Sequence, residues 1–115
     1  MAIVIYHNPR CSKSRQTLAL LEANDVAPEI VHYLDEAPTK STLKAIAKKL
    51  GLQSMREMMR RGEAAYKDLG LASEEDEDAL LDAMVANPTL IERPIVVNGD
   101  KAAIGRPPES VLEIL

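Results

Sequence analysis

The 115-residue chain has one cysteine, no phenylalanine and no tryptophan. A lone thiol closes no intramolecular disulfide and makes no multi-cysteine zinc site. With only three tyrosines, the chain has too few aromatic faces for a base-stacking platform, so single-stranded nucleic acid is a poor partner. A basic excess is also missing: 14 Lys and Arg against 18 Asp and Glu give a net charge of −4, which disfavours a general phosphate-backbone binder. No apolar run reaches the ~20 residues of a membrane span. The opening MAIVIYHNPR lacks the long apolar stretch and small-residue cleavage site of a secretory signal. These absences fit a cytoplasmic, reducing setting with no membrane or nucleic-acid partner, in which Cys11 stays a free thiol.

What is present is aliphatic. Hydrophobic residues make up 46% of the chain, and the core has to come from Leu, Ile, Val, Ala and five Met. The length argues for one domain over 1–115. Ile3-Val4-Ile5-Tyr6 is a short β-branched run suited to a buried strand, and His7-Asn8-Pro9-Arg10 is turn-forming. Residues 12–24 read as a helix with Leu18, Leu20 and Leu21 on one face, closed by Asn24-Asp25, and Ile30 to Leu34 as a second strand. A crossover this short favours parallel pairing.

The middle reads as helical. Thr39 caps a helix through Leu43, Ile46, Ala47 and Leu50 that ends at Gly51. Ser54 and Glu57 form a capping box for a Met-rich turn closed by Gly62. Tyr66 and Leu69 add a turn before Gly70. Ser73 then opens a helix whose first turn is Glu74 to Asp78, stopped by Asn87-Pro88. Ile95-Val96-Val97, Asn98-Gly99-Asp100 and Lys101 to Ile104 give a hairpin signal, and the Pro107-Pro108 pair begins a last helix carrying Val111, Leu112 and Leu115. The fold class is therefore α/β: a thioredoxin-like (glutaredoxin-like) mixed sheet flanked by helices, with a helical insertion between the βαβ and ββα halves.

Cys11 sits after a proline-containing loop and just before a helix. A thiolate there meets unpaired backbone N–H groups and the positive end of the helix dipole, both of which lower a thiol pKa. From Met1 to Leu21 the sequence holds Arg10, Lys13 and Arg15 and no acid, a local reversal of the overall charge. A buried, inert cysteine is the bland alternative, but Arg10, Ser12 and Lys13 are poor core neighbours. His7 lies four residues before the thiol; Ser14 lies one helical turn after it, where its hydroxyl could reach the sulfur. His7, His32 and Cys11 are the whole supply of imidazole and thiol, so no metal site is expected. A tyrosine-phosphatase-like loop needs Arg where Thr17 stands, and no glycine-rich phosphate loop exists.

Arg93 precedes Pro94 at the start of the third strand, and Arg106 follows the last strand in Gly105-Arg106-Pro107. Arg60 ends the Met-rich turn. Positions beside Pro and Gly favour a functional reading for Arg93 and Arg106, whereas Arg56 and Arg61 read as solvated surface. Several guanidiniums around one thiolate would bind a tetrahedral oxyanion.

Three segments carry a family resemblance: Tyr6-His7-Asn8-Pro9-Arg10-Cys11-Ser12-Lys13-Ser14-Arg15, Glu92-Arg93-Pro94-Ile95-Val96-Val97 and Gly105-Arg106-Pro107-Pro108-Glu109. Together they resemble the glutaredoxin-coupled arsenate reductase (ArsC) family, in particular its short YfgD-like branch. The likeness runs nearly end to end, although archetypal members carry a longer C-terminal tail. It implies that Cys11 attacks arsenate as a thiolate, supported by His7 and Ser14, while Arg60, Arg93 and Arg106 hold the oxyanion. It also implies glutathione as co-substrate and glutaredoxin as partner, with no tightly bound cofactor. A chain with no second thiol needs an external one in any case. Two alternatives stand beside this reading. A general glutathione-linked oxidoreductase has no need of three arginines. A non-enzymatic Spx-like regulatory module would commonly carry a second cysteine where this chain has Ser14.

Overall fold

The structure, a computed structural model, describes residues 3–115. Its elements run β1 (Ile3–Tyr6), α1 (Ser12–Ala23), β2 (Glu29–Val31), α2 (Lys40–Leu50), α3 (Ala64–Asp68), α4 (Glu77–Ala86), β3 (Ile95–Asn98) and β4 (Lys101–Ile104). Short 3₁₀ helices at Met55–Met58, Leu71–Ser73, Pro88–Leu90 and Pro108–Ile114 fill the connections. The described residues fall into two compact units, one formed by residues 3–36 with 93–115 and the other by residues 37–92.

The first unit is a four-stranded mixed sheet in the order β2-β1-β3-β4. β1 pairs parallel with β2, Ile5 opposite Ile30, and antiparallel with β3, Ile5 opposite Val96. β3 and β4 form the expected hairpin. Its turn is two residues, because Asn98 pairs with Lys101, and Gly99 takes the left-handed conformation at φ 63°. Ile5, Leu21, Val96 and Val111 are fully buried and pack together, so α1 and the C-terminal 3₁₀ helix share one hydrophobic cluster with the sheet. Burying each such side chain is worth about 1.5–3 kcal/mol. The thioredoxin-like mixed sheet flanked by helices is the architecture expected above.

Several boundaries differ from expectation, each for a local reason. The second strand is Glu29–Val31, not 30–34: the His32 carbonyl accepts from the Asp35 and Glu36 N–H groups, turning the chain and leaving Leu34 exposed. The last helix is 3₁₀, so its buried line repeats every third residue through Pro108, Val111 and Ile114. Leu112 and Leu115 therefore face solvent rather than the core.

In the second unit, α2 begins at a Thr39 cap, whose hydroxyl accepts from the Thr42 N–H, and ends at left-handed Gly51. The Ser54–Glu57 capping box forms as expected. Gly62 does not close that turn, however. The helix stops at Met58 because Met59 is extended and pairs with Ile91, while Arg60 N–H donates to the Leu90 carbonyl. Nor does Ser73 open α4. Asp76 does, its side chain accepting from the Asp78 N–H. The upstream residues are held out of the helix by Arg56, whose guanidinium donates to Tyr66 Oη and the Leu71 carbonyl, both at 2.6 Å, and to the Glu74 carbonyl. Arg56 is thus a part-buried structural clamp, not solvated surface. Met55, Met58, Met59 and Met84 are all buried, the flexible filling an aromatic-poor core requires. Met1, the fifth, lies outside the described residues. Among the described residues no helix is long and apolar enough to cross a membrane.

Candidate active site

The loop from His7 to Cys11 is fixed before the helix starts. His7 N–H extends the parallel ladder by donating to the Val31 carbonyl at 2.9 Å. Asn8 then folds the turn: its side-chain oxygen accepts from Arg10 N–H at 3.0 Å and its carbonyl from Cys11 N–H at 3.0 Å. Arg15 reaches back from α1 to donate to the Pro9 carbonyl at 2.9 Å. Cys11 becomes the N-cap residue, extended at φ −93°, ψ 123°, with no acid in the following turn.

An N-cap side chain faces the unpaired N–H groups of the first helical turn. Burial pushes the Cys11 thiol up, but the backbone N–H of Ser14, the charge of Arg93 and the backbone N–H of Lys13 outweigh it, and the thiol rests below its ordinary value. Arg93 also lies within hydrogen-bonding reach of the sulfur. The Arg106 Nη2 is 4.0 Å from Sγ, and its Nε donates to the Arg93 carbonyl at 3.0 Å, joining the two arginine segments. Each of these arginines precedes a cis proline, at Arg93–Pro94 and Arg106–Pro107. The cations acting on the sulfur therefore come from the far end of the chain. Arg15, from the basic opening stretch, serves as a loop clamp instead.

Ser14 works through its backbone rather than its hydroxyl. Its side chain is fully buried, hydrogen-bonded to His7 Nδ1 at 2.6 Å, and accepts from Asn8 N–H at 3.0 Å. His7 meets this hydroxyl rather than the sulfur. Burial, then the neighbouring charges of His32 and Arg15, hold His7 below its ordinary pKa. The structure thus brings Cys11, Arg93 and Arg106 together, with His7 and Ser14 as a buried couple under the loop. Arg60 lies in the second unit, its guanidinium 3.4 Å from Glu63 and from the Thr89 carbonyl.

Sequence reasoning missed Asn8 as the pin of the loop and the contact of Thr17 with Gly105. Thr17 is fully buried and its hydroxyl donates to the Lys13 carbonyl. A Cβ on Gly105 would sit 2.5 Å from Thr17 Oγ1 and 2.8 Å from Pro94 Cγ. That approach seats the strand end carrying Arg106 against α1. Glycine beside Arg106 was the visible signal; nothing in the sequence marked Thr17 as its neighbour.

Fold and site together define a thioredoxin-like protein whose single thiol sits at a helix N-terminus beside two arginines. The ArsC family model matches residues 6–114, and the chain belongs to the ArsC family. It is 58% identical over 114 residues to the Escherichia coli protein YfgD, covering 98% of this chain and 96% of that one. It is 53% identical over 116 residues to an arsenate reductase of Haemophilus influenzae, covering 100% of both. Among solved structures, the arsenate reductase from Vibrio cholerae superposes with a TM-score of 0.97 at 54% identity, covering 100% of this chain and 98% of that one.

Proposed function

We propose that this chain is a cytoplasmic arsenate reductase that works through a Cys11 adduct, with glutathione and glutaredoxin as electron donors. The observation that carries the reading is one thiol, lowered in pKa, with Arg93 and Arg106 at its sulfur and no second cysteine in the sequence. The relatives named as arsenate reductases supply the substrate.

The Cys11 thiolate attacks arsenic, a sulfur–arsenic bond forms, and an arsenate oxygen leaves as water after protonation. Arg93 and Arg106 offset the charge of the oxyanion and hold it at the sulfur. Arsenic is still As(V) at this stage. A glutathione thiol then attacks the Cys11 sulfur, so the electron pair of the sulfur–arsenic bond passes to arsenic. The products are arsenite, As(III), and a Cys11–glutathione disulfide, which glutaredoxin exchanges back to the free thiol. Two thiols thus supply the two electrons. The assignment of Arg60 to the oxyanion rests on the family resemblance alone.

A coupled assay tests this by following NADPH consumption with glutathione, glutaredoxin and glutathione reductase as arsenate is added. Arsenate-dependent turnover that disappears in Cys11→Ser is the expected result. A wild-type rate equal to that of Cys11→Ser defeats the proposal. Turnover of a glutathione mixed disulfide without any arsenate response would move the reading to a general thiol oxidoreductase.

A further inference from the structure

A cavity of about 280 Å³ opens in the first unit beside the loop that presents Cys11. The Asn8-Pro9-Arg10 turn forms one wall and His32, Leu34 and Asp35 form the other, over a floor at His7. Its size lies just below the roughly 300 Å³ at which small-molecule sites begin. Both walls are preformed. The Arg10 N–H is held by the Asn8 side chain, and the Asp35 N–H donates to the His32 carbonyl at 3.0 Å. The buried His7 ring meets His32 edge-on, with centroids 6.0 Å apart.

Among the described residues, neither Arg10 nor Asp35 takes part in an ion pair such as those that join Lys40 to Asp78 and Asp82 or Arg60 to Glu63. An arginine and an aspartate that line one cavity without forming an ion pair with each other match a ligand carrying both signs. An inorganic oxyanion would be repelled by Asp35 and is better served by Arg93 and Arg106. A neutral apolar molecule would have to strip water from two full charges. Leu34, 40% exposed, offers an apolar patch for the methylenes of a small zwitterion.

We propose that this cavity docks the α-aminocarboxylate end of a small thiol, with Arg10 on its carboxylate and Asp35 on its ammonium. The inference rests on the reading that an external thiol serves Cys11. Arg10 is the residue immediately before Cys11, so a thiol anchored here attacks as a positioned reactant rather than from bulk solution. The γ-glutamyl end of glutathione and free cysteine both present this chemistry.

The test uses the full-length Cys11→Ser protein, which cannot react, labelled with ¹⁵N and titrated with S-methylglutathione, S-methylcysteine and, separately, inorganic sulfate. Saturable amide shifts at Arg10, His32, Leu34 and Asp35 with the two zwitterions, and none there with sulfate, are the expected result. Tighter binding of S-methylglutathione identifies the tripeptide as the source, and equal binding identifies the aminocarboxylate alone. Asp35→Lys should weaken binding by roughly fivefold, the range of a partly exposed ion pair. Asp35→Asn is the milder variant should the reversal disturb folding. Zwitterion shifts confined to other residues, shifts at the cavity with sulfate, or unchanged affinity in the Asp35 variants overturn the inference. Failure of the arsenate assay leaves this binding result standing, whereas arsenate turnover with no shift at the cavity overturns the cavity alone.

Discussion

Gly105→Ala is the perturbation that most directly links the fold to the thiol. An added Cβ would lie 2.5 Å from Thr17 Oγ1, about 0.9 Å short of the 3.4 Å at which ordinary contact begins. It would also meet Pro94 Cγ at 2.8 Å and Thr17 Cγ2 at 3.2 Å. Neither neighbour yields easily. Thr17 is β-branched, fully buried and tied to the Lys13 carbonyl at 2.8 Å, and Pro94 is a closed ring. Overpacking of this kind costs about 1–3 kcal/mol, and the lower chain entropy of unfolded alanine returns about 0.4–1 kcal/mol. The mid-range values leave an expected net loss of roughly 1.3 kcal/mol in urea unfolding. Displacing this strand end also moves Arg106 from its 4.0 Å approach to Cys11, so the thiol pKa should rise when thiolate absorbance is titrated. Thr17→Ala alone loses a methyl and a hydroxyl bond, about 1 kcal/mol. In the double variant it removes both Thr17 obstacles, so the two losses should be less than additive by about 1 kcal/mol. A Gly105→Ala protein within about 0.5 kcal/mol of wild type, or strict additivity with Thr17→Ala, refutes the close-approach argument.

Arg93→Met should raise the thiolate midpoint of Cys11 clearly. Ser14→Ala should move it less, because the sulfur uses the Ser14 backbone N–H, and should instead cost about 1–3 kcal/mol by stripping the partner from Asn8 N–H; the reverse order would sink this division. Arg56→Met leaves three acceptors without their guanidinium and should lose about 2–4 kcal/mol by urea melt, while exposed Arg61→Ala stays within about 0.5 kcal/mol. His7 is held below its ordinary 6.5, so the folded state binds fewer protons there than the unfolded chain. Its stabilising contribution is present above about pH 6.5 and is lost as pH falls from there through the depressed folded value. His7→Asn should flatten urea midpoints between about pH 7.5 and 5.5, and an unchanged slope would count against it.

The sheet was legible because its signals are local. β1, the β3–β4 hairpin and the α2 caps each follow from a run of three to six residues, and the structure keeps all of them. The failures share a different cause. Helix α4 starts late and the Met-rich turn ends early because Arg56 takes carbonyls from residues 71 and 74, and Met59 pairs with Ile91. Those partners lie 15, 18 and 32 positions away, beyond any capping or periodicity window. The C-terminal helix misleads differently. Its leucines fit an α-period at 112 and 115, whereas the 3₁₀ period buries 108 and 111.

At the site, residue types were readable but contacts were not. A thiol before a helix specifies backbone donors whatever the side chains do, which is why Cys11 could be singled out. Ser14 shows the limit of spacing as an argument: one turn from the thiol, both its hydroxyl and its amide are candidates. The choice falls to the buried His7, which takes the hydroxyl and leaves the amide to sulfur. The basic opening stretch divides in the same way. Arg15 is committed to the Pro9 carbonyl, and Arg93 and Arg106 arrive through sheet order to supply the charge at the sulfur. Arg10 is left beside the thiol with no ion-pair partner among the described residues, facing a cavity that also holds Asp35. An activated sulfur needs only cations, so a cavity lined by both Arg10 and Asp35 answers to a different ligand from the oxyanion.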